Sequence, residues 1–190
     1  MAKRNGNGRP LNSQHSVNTA VKSICDVMRR SNCAGALQYV PELTWILFLR
    51  ILDEAEEGER EHAEAVGAEF RPSLESPFRW RDWAAPYDES VQADDEHVQG
   101  WRRHELEEGT LGEFFGFVNG ELLPHLRDLK EHPNATPRQK VISEVMSGVE
   151  RVRIDTEKNF RDVLDKMLSG AVAVPSLQRL RPSYSVNATA

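Results

Sequence analysis

Cysteine is almost missing from this chain of 190 residues. Only Cys25 and Cys33 occur, eight positions apart. That is neither a disulfide framework nor a metal-ligand spacing, and it points to a reducing cytoplasm. No apolar run reaches the ~18–20 residues that a bilayer requires, so no membrane partner is expected. The opening M-A-K-R-N-G-N-G-R-P carries charge with no apolar run behind it, which is not the pattern of a signal peptide. A P-loop and a G-x-S-x-G are both lacking, and the lone G-x-G of Gly6 and Gly8 follows no strand pattern. The six histidines are scattered, none with a second ligand at i+3 or i+4 in a convincing metal pattern. Acids are abundant, 30 Asp and Glu, but none sits in an apolar setting that would raise its pKa. Read residue by residue, the chain is not an enzyme. A net charge of −6 argues against a protein that coats nucleic acid along its whole surface, while leaving room for a local basic patch.

What is present is helical patterning. Residues 41–53, P-E-L-T-W-I-L-F-L-R-I-L-D, form the most apolar stretch, with almost no polar face. Such a helix is expected to be buried on several sides, and Pro41 suits its first turn. The acidic continuation D-E-A-E-E-G-E-R-E-H-A-E-A-V is read as a solvated face. Ahead of this helix, Val17, Val21, Ile24, Val27 and Met28 fall at helical spacing, with a start at Ser16 or Asn18. Residues 88–109 read as a helix or an ordered loop. Further on, Leu111, Phe114, Phe115, Val118, Leu122, Leu126 and Leu129 trace a stripe. Gly112, Gly116 and Gly120 recur along it and would admit a close neighbouring backbone, and Pro124 predicts a kink or a second start. Thr136 followed by Pro137 predicts a capped helix with Val141, Ile142, Val145, Met146 and Val149 inward. After a short link, Thr156 starts a last helix with Phe160, Val163, Leu164 and Met167 inward. No strand pattern or repeat stands out. The expected fold is all-α, a compact bundle of about five to seven helices around a buried central helix. Residues 1–15 are expected to be a disordered basic arm, residues 16–168 the helical domain and residues 169–190 an unstructured tail.

Two groups of residues are candidates for contact. Lys3, Arg4, Arg9, Lys22, Arg29 and Arg30 gather in the first 30 residues against a single acid, Asp26. They can meet phosphates or form a solubilising tail. Arg79, Trp80, Arg81 and Trp83 interleave cations with indoles in a proline-punctuated segment. They can stack on bases, hold a partner, or pack an irregular loop on the core.

Four segments in order carry a resemblance. They are I-C-D-V-M-R-R, then Y-V-P-E-L-T-W-I-L-F-L-R-I-L-D-E-A-E-E, then F-R-P-S-L-E-S-P-F-R-W-R-D-W-A-A-P, and finally V-I-S-E-V-M-S-G-V-E-R-V-R with N-F-R-D-V-L-D-K-M. Together they resemble the N-terminal helical domain of the modification subunit of type I restriction–modification systems, which are adenine-specific DNA methyltransferases. The likeness covers about residues 16–168. In that family a catalytic domain follows, binding S-adenosylmethionine with a glycine-containing loop and an N-P-P-[YF] motif. Neither N-P-P nor an F-Y-T-P-R-like segment occurs here. The resemblance therefore implies the front piece of such a subunit, a truncated gene product or one half of a split subunit. It implies no catalytic, cofactor-binding or metal residue in this sequence. Its implied partners are the methyltransferase catalytic domain or subunit, the specificity subunit, a second modification subunit, and DNA through the assembled complex. The implied role is assembly and closure around DNA, where the catalytic domain flips and methylates an adenine. The alternative is a free-standing helical DNA-binding or regulatory protein derived from that domain.

Overall fold

The computed structural model describes residues 14–31, 35–88 and 98–168, and every regular element among them is helical. The elements are α1 (Gln14–Arg30), α2 (Ala36–Val66), α3 (Trp80–Trp83), α4 (Trp101–Glu108), α5 (Glu113–Phe117), α6 (Leu123–Asp128), α7 (Pro137–Met146) and α8 (Glu157–Lys166). A π turn, Val118–Leu122, fuses α5 and α6 into one rod, and a 3-10 turn, Leu129–Glu131, ends it. Counting that rod once leaves seven helices, an all-α bundle as the sequence pattern predicts. Lys3, Arg4, Arg9, Cys33, the tail from residue 169 and residues 89–97 lie outside the described residues, while Trp101–Glu108 of the following stretch is helical.

α1 begins at Gln14, two positions before the expected start. Ile24, Val27 and Met28 are buried and Val21 is not, so the inward stripe is narrower than the spacing suggested. This helix packs against α8. The hub of the core is Phe160 of α8, fully buried. Trp45 of α2 (6.2 Å between ring centroids), Trp83 of α3 (6.5 Å), Phe114 (5.9 Å) and Phe115 (6.0 Å) surround it. At these separations aromatic pairs add to the burial of their surfaces.

α2 departs from the sequence reading in two ways. It starts at Ala36, where the Gly35 N–H donates to Gln38 Oε1 at 3.3 Å. Pro41 is therefore the sixth helical residue and not in the first turn. The intrahelical bond it forgoes is the one to the carbonyl of Leu37, a residue 90% exposed. Nor is the helix buried all round. Trp45, Ile46 and Leu49 are at 2% exposure or less. Leu43, Leu47, Phe48 and Leu52 are half-buried, and Val40 and Ile51 stay exposed. The helix ends where Gly67 takes φ 69°, with the Ala68 N–H closing on the Ala63 carbonyl at 2.8 Å.

The glycines of the rod admit no neighbour. A Cβ on Gly116 or Gly120 would meet no atom within 4 Å, so they are not sites of close backbone approach. Gly112, with φ 103°, opens the rod. The π turn ends immediately before Leu123–Pro124, where the wider spiral spares the proline ring its clash with the carbonyl four residues back. In α7 the Thr136 Oγ1 accepts from the Gln139 N–H at 3.2 Å, and the Thr136 N–H donates to Gln139 Oε1 at 2.9 Å. The Thr136 cap follows the sequence expectation, and the return bond to Gln139 makes it reciprocal. Only Ile142 and Met146 of its stripe are buried, however; Val141 and Val145 face outward. The short link at residues 151–155 is core instead of spacer. Val152 and Ile154 are buried, and side chains from elsewhere satisfy its backbone: Val152 N–H to Asn119 Oδ1 at 2.8 Å and Arg153 N–H to Glu42 Oε1 at 3.1 Å.

Candidate functional site

The structure separates the two groups of candidates. Lys22, Arg29 and Arg30 are exposed on α1. Arg29 Nη1 reaches Asp26 at 2.7 Å, and Arg30 Nε donates to the Asp26 carbonyl at 3.2 Å. Both cations therefore also serve the last turn of α1, whose carbonyl end carries the negative pole of the helix dipole. They remain at the surface, where an external anion can reach them.

The second group turns inward. Trp80 and Trp83 are buried, edge to face with 5.3 Å between centroids, and neither ring face is offered to a base. Their arginines are bound to acids of the fold. Arg79 forms a fork with Asp82 (both contacts 2.9 Å), and Asp82 is itself 1% exposed. Arg81 reaches back to α2, with Nε on Asp53 Oδ1 at 3.2 Å and Nη1 on Glu57.

That contact belongs to a clasp which the sequence reading missed. The acidic second half of α2 was expected to be a solvated face. Instead Glu56 is buried and accepts the Ser73 N–H (3.0 and 3.2 Å to its two oxygens), while Arg138 of α7 spans Glu56 at 3.3 Å and Glu59 at 2.8 Å. Gln139 Nε2 holds the Ser73 carbonyl at 3.1 Å. The segment between α2 and α3 is thus pinned from both sides by charge-assisted bonds. The signal was present in the spacing: Asp53, Glu56 and Glu57 lie on one side of a helix, and Arg79 and Arg81 follow within 30 residues.

Two carboxylates also overturn the expectation that none would sit in an apolar setting. Glu42 is 2% exposed, and burial pushes its carboxyl up, partly opposed by the Arg153 N–H. The Trp45 indole N–H leans toward the same carboxyl but closes no bond of good geometry. Asp53 is likewise pushed up by burial against the pull of Arg81. Glu57 goes the other way: Arg60 first, and then Arg81, hold it down at about 2.

Two hollows stand out among the described residues. One, of about 240 Å³, lies over the clasp between Asp53, Glu57, Arg60, Phe70, Pro72, Arg79 and Arg81. The other is an open trough of about 730 Å³ between α4 and the rod, walled by Glu105, Glu108, Glu113 and Glu121 around Arg102. Arg102 lies 5.0 Å from the Phe117 ring and pairs with Glu105 at 2.9 Å. Four carboxylates facing one engaged cation make a poor seat for an anionic or nucleotide-like ligand. Among the described residues no group of three or more His, Cys, Asp or Glu side chains is arranged to hold a metal ion, and no helix is long and apolar enough to cross a membrane.

Comparison with known proteins places this architecture. The family described as the HsdM N-terminal domain matches residues 17–167. The methylase subunit of the type I restriction enzyme EcoEI of Escherichia coli is 28% identical over 134 residues, 70% of this chain and 22% of that protein. Among solved structures, the modification subunit of a candidate type I restriction enzyme from Vibrio vulnificus YJ016 superposes with a TM-score of 0.60. It is 27% identical, over 85% of this chain and 32% of that one. The chain thus spans about a fifth of the length of the curated relative and about a third of the solved one.

Proposed function

The chain belongs to the HsdM N-terminal domain family, and from that premise we propose that it is a non-catalytic helical domain serving subunit assembly and closure around DNA in a type I restriction–modification DNA methyltransferase. The observation that carries this reading is the match over residues 17–167, supported by relatives that are methylase or modification subunits. Its proposed partners are the methyltransferase catalytic domain or subunit, the specificity subunit and a second modification subunit, with DNA met through the assembled complex.

The arrangement of charge supports a scaffold role. Arg50, Arg60, Arg79, Arg81, Arg103 and Arg138 are all committed to acids or carbonyls of the fold. What the body offers outward is largely acidic, which directs DNA toward Lys22, Arg29, Arg30 and the basic residues Lys3, Arg4 and Arg9 ahead of them. The family's glycine-containing loop for S-adenosylmethionine follows a strand, whereas every regular element among the described residues is helical. The cofactor and the methyl transfer are accordingly assigned to the catalytic part of the complex. The proposed setting is the cytoplasm.

Two measurements test this. Isothermal calorimetry of the chain with S-adenosylmethionine is expected to show no stoichiometric binding, and a micromolar event would overturn the non-catalytic assignment. Affinity purification of the tagged chain from its host is expected to recover specificity and methyltransferase subunits. Recovery of the chain with DNA but without either subunit would favour a free-standing DNA-binding protein.

A further inference from the structure

Among the described residues, Arg151 is the one arginine with no hydrogen bond or ion pair to another described residue. The rest meet an acid, a carbonyl or another group of the fold. Arg151 lies in the link between α7 and α8. It is exposed, and so is Arg153 two positions on, while Val152 and Ile154 are buried. This alternation turns both guanidinium side chains outward, at most about 7 Å apart along the chain.

The link beneath these arginines is fixed by side chains from three other elements. Asn119 Oδ1 accepts the Val152 N–H at 2.8 Å, and Glu42 Oε1 accepts the Arg153 N–H at 3.1 Å. Arg127 Nη1 donates to the Val149 carbonyl at 2.8 Å and to the Glu150 carbonyl at 3.3 Å. Glu42 is a destabilising choice for this place. Burial lifts its carboxyl, and the Arg153 N–H and guanidinium only partly oppose that. A link that merely joins two helices needs its N–H satisfied, for which a neutral acceptor serves. A binding edge gains more from being held, because a backbone already fixed loses less freedom on association.

The neighbouring charges bear on what the edge meets. Glu150 and Asp155, both exposed, bracket the two arginines, so the order along the link is acid, cation, cation, acid. A nucleic-acid strand carries one negative charge about every 3.4 Å along the helix axis and would bring phosphates against both acids. A protein segment can instead set carboxylates opposite the arginines alone. The planar guanidinium matches a carboxylate with two parallel N–H bonds, which gives such a contact direction as well as charge.

We propose that Arg151 and Arg153 form a docking edge for an acidic segment of a partner protein, whose carboxylates the two guanidinium groups grip. The proposal rests on the assembly role inferred above and names a contact that serves it.

Assembly titrations test it. The labelled full chain is titrated with the purified specificity and methyltransferase subunits of its host, singly and together, and followed by fluorescence anisotropy. Arg151→Glu is expected to weaken assembly about tenfold or more. Arg151→Gln with Arg153→Gln should do the same without introducing an acid beside Glu42. Both positions are exposed, so helical circular dichroism and melting should match those of the parent. Arg151→Lys keeps the charge, loses the fork and should fall between. Equal affinity of the parent and of both variants would overturn the proposal and leave the assembly role standing. A parent chain that joins neither subunit would overturn both. Variants that assemble normally and lose DNA affinity in the complex would also overturn it, since the edge would then meet phosphates.

Discussion

The two halves of α2 hold the same bundle together by different means. The first half packs Trp45, Ile46 and Leu49 into the aromatic hub at Phe160 and keeps one buried acid, Glu42. The second half, from Asp53 onward, carries almost no core and is tied down by Arg81 and Arg138. Burial of apolar surface is non-directional and large. Ion pairs with part of their surface in water are directional and individually small. The comparison teaches that the first half sets how stable the bundle is. The second half fixes where the irregular segment between α2 and α3 lies.

Substitutions that separate these contributions sharpen the comparison. The largest effect is expected from Trp45→Ala, which removes a fully buried indole and costs about 3–5 kcal/mol; thermal or urea melting checks it. A shift of only a degree or so would show that the hub does not carry the fold. Arg81→Met is expected to cost about 2 kcal/mol, because Asp53 and Glu57 each lose a charge-assisted hydrogen bond. Its signature should be faster proteolysis between α2 and α3 at temperatures where α8 is still protected from hydrogen exchange.

Glu42 of the first half and Glu57 of the second are expected to respond to pH in opposite senses. Glu42 has its carboxyl raised above the ordinary 4.5 by burial, so its contribution to stability is full below that value and is lost as pH rises through its folded pKa. Glu42→Gln, which retains an acceptor for the Arg153 N–H, should therefore melt higher than the parent at pH 7, and the gain should shrink toward pH 4. Glu57 is held down at about 2, so its contribution is full above 4.5 and is lost as pH falls toward 2. Glu57→Gln should melt lower at pH 7, with the loss vanishing at strong acid. Melting curves of both variants across pH 2–8 check the signs. The smallest effect is expected from Arg138→Ala, about 0.5–1 kcal/mol, since its bridge to Glu59 is largely in water. Raising the salt concentration should reduce it further.

Much of the fold was legible because helix periodicity and capping are local. The Thr136 cap with Pro137 behind it, and the inward stripe of α8, could be read from neighbours within one or two turns. What escaped depends on contacts between segments far apart in sequence. Nothing near Glu42 announces that the backbone of Arg153 will meet it, and nothing near Glu56 announces Ser73 and Arg138. The run L-T-W-I-L-F-L-R-I-L looked buried on all sides because composition records how apolar a helix is, not how many neighbours it receives. The Trp–Arg segment was legible as a dense cluster, but its direction was not, because indoles and arginines serve a core and a binding face equally well. The family resemblance came from the order of four segments, which survives where single motifs carry little information.

Whether DNA is met through α1, with the arginines of the body reserved for the fold, is tested most directly by the salt dependence of DNA affinity in the reconstituted complex. Gel shifts at several salt concentrations are compared for the parent and for Arg29→Gln with Arg30→Gln, a pair that removes charge at the end of α1 without introducing an acid there. Each lost phosphate contact lowers the slope of log affinity against log salt by about 0.9 on duplex DNA. The expected result is a slope shallower by about 1–2, with weaker binding to every sequence alike and intact subunit assembly. An unchanged slope and affinity in the double variant would contradict it.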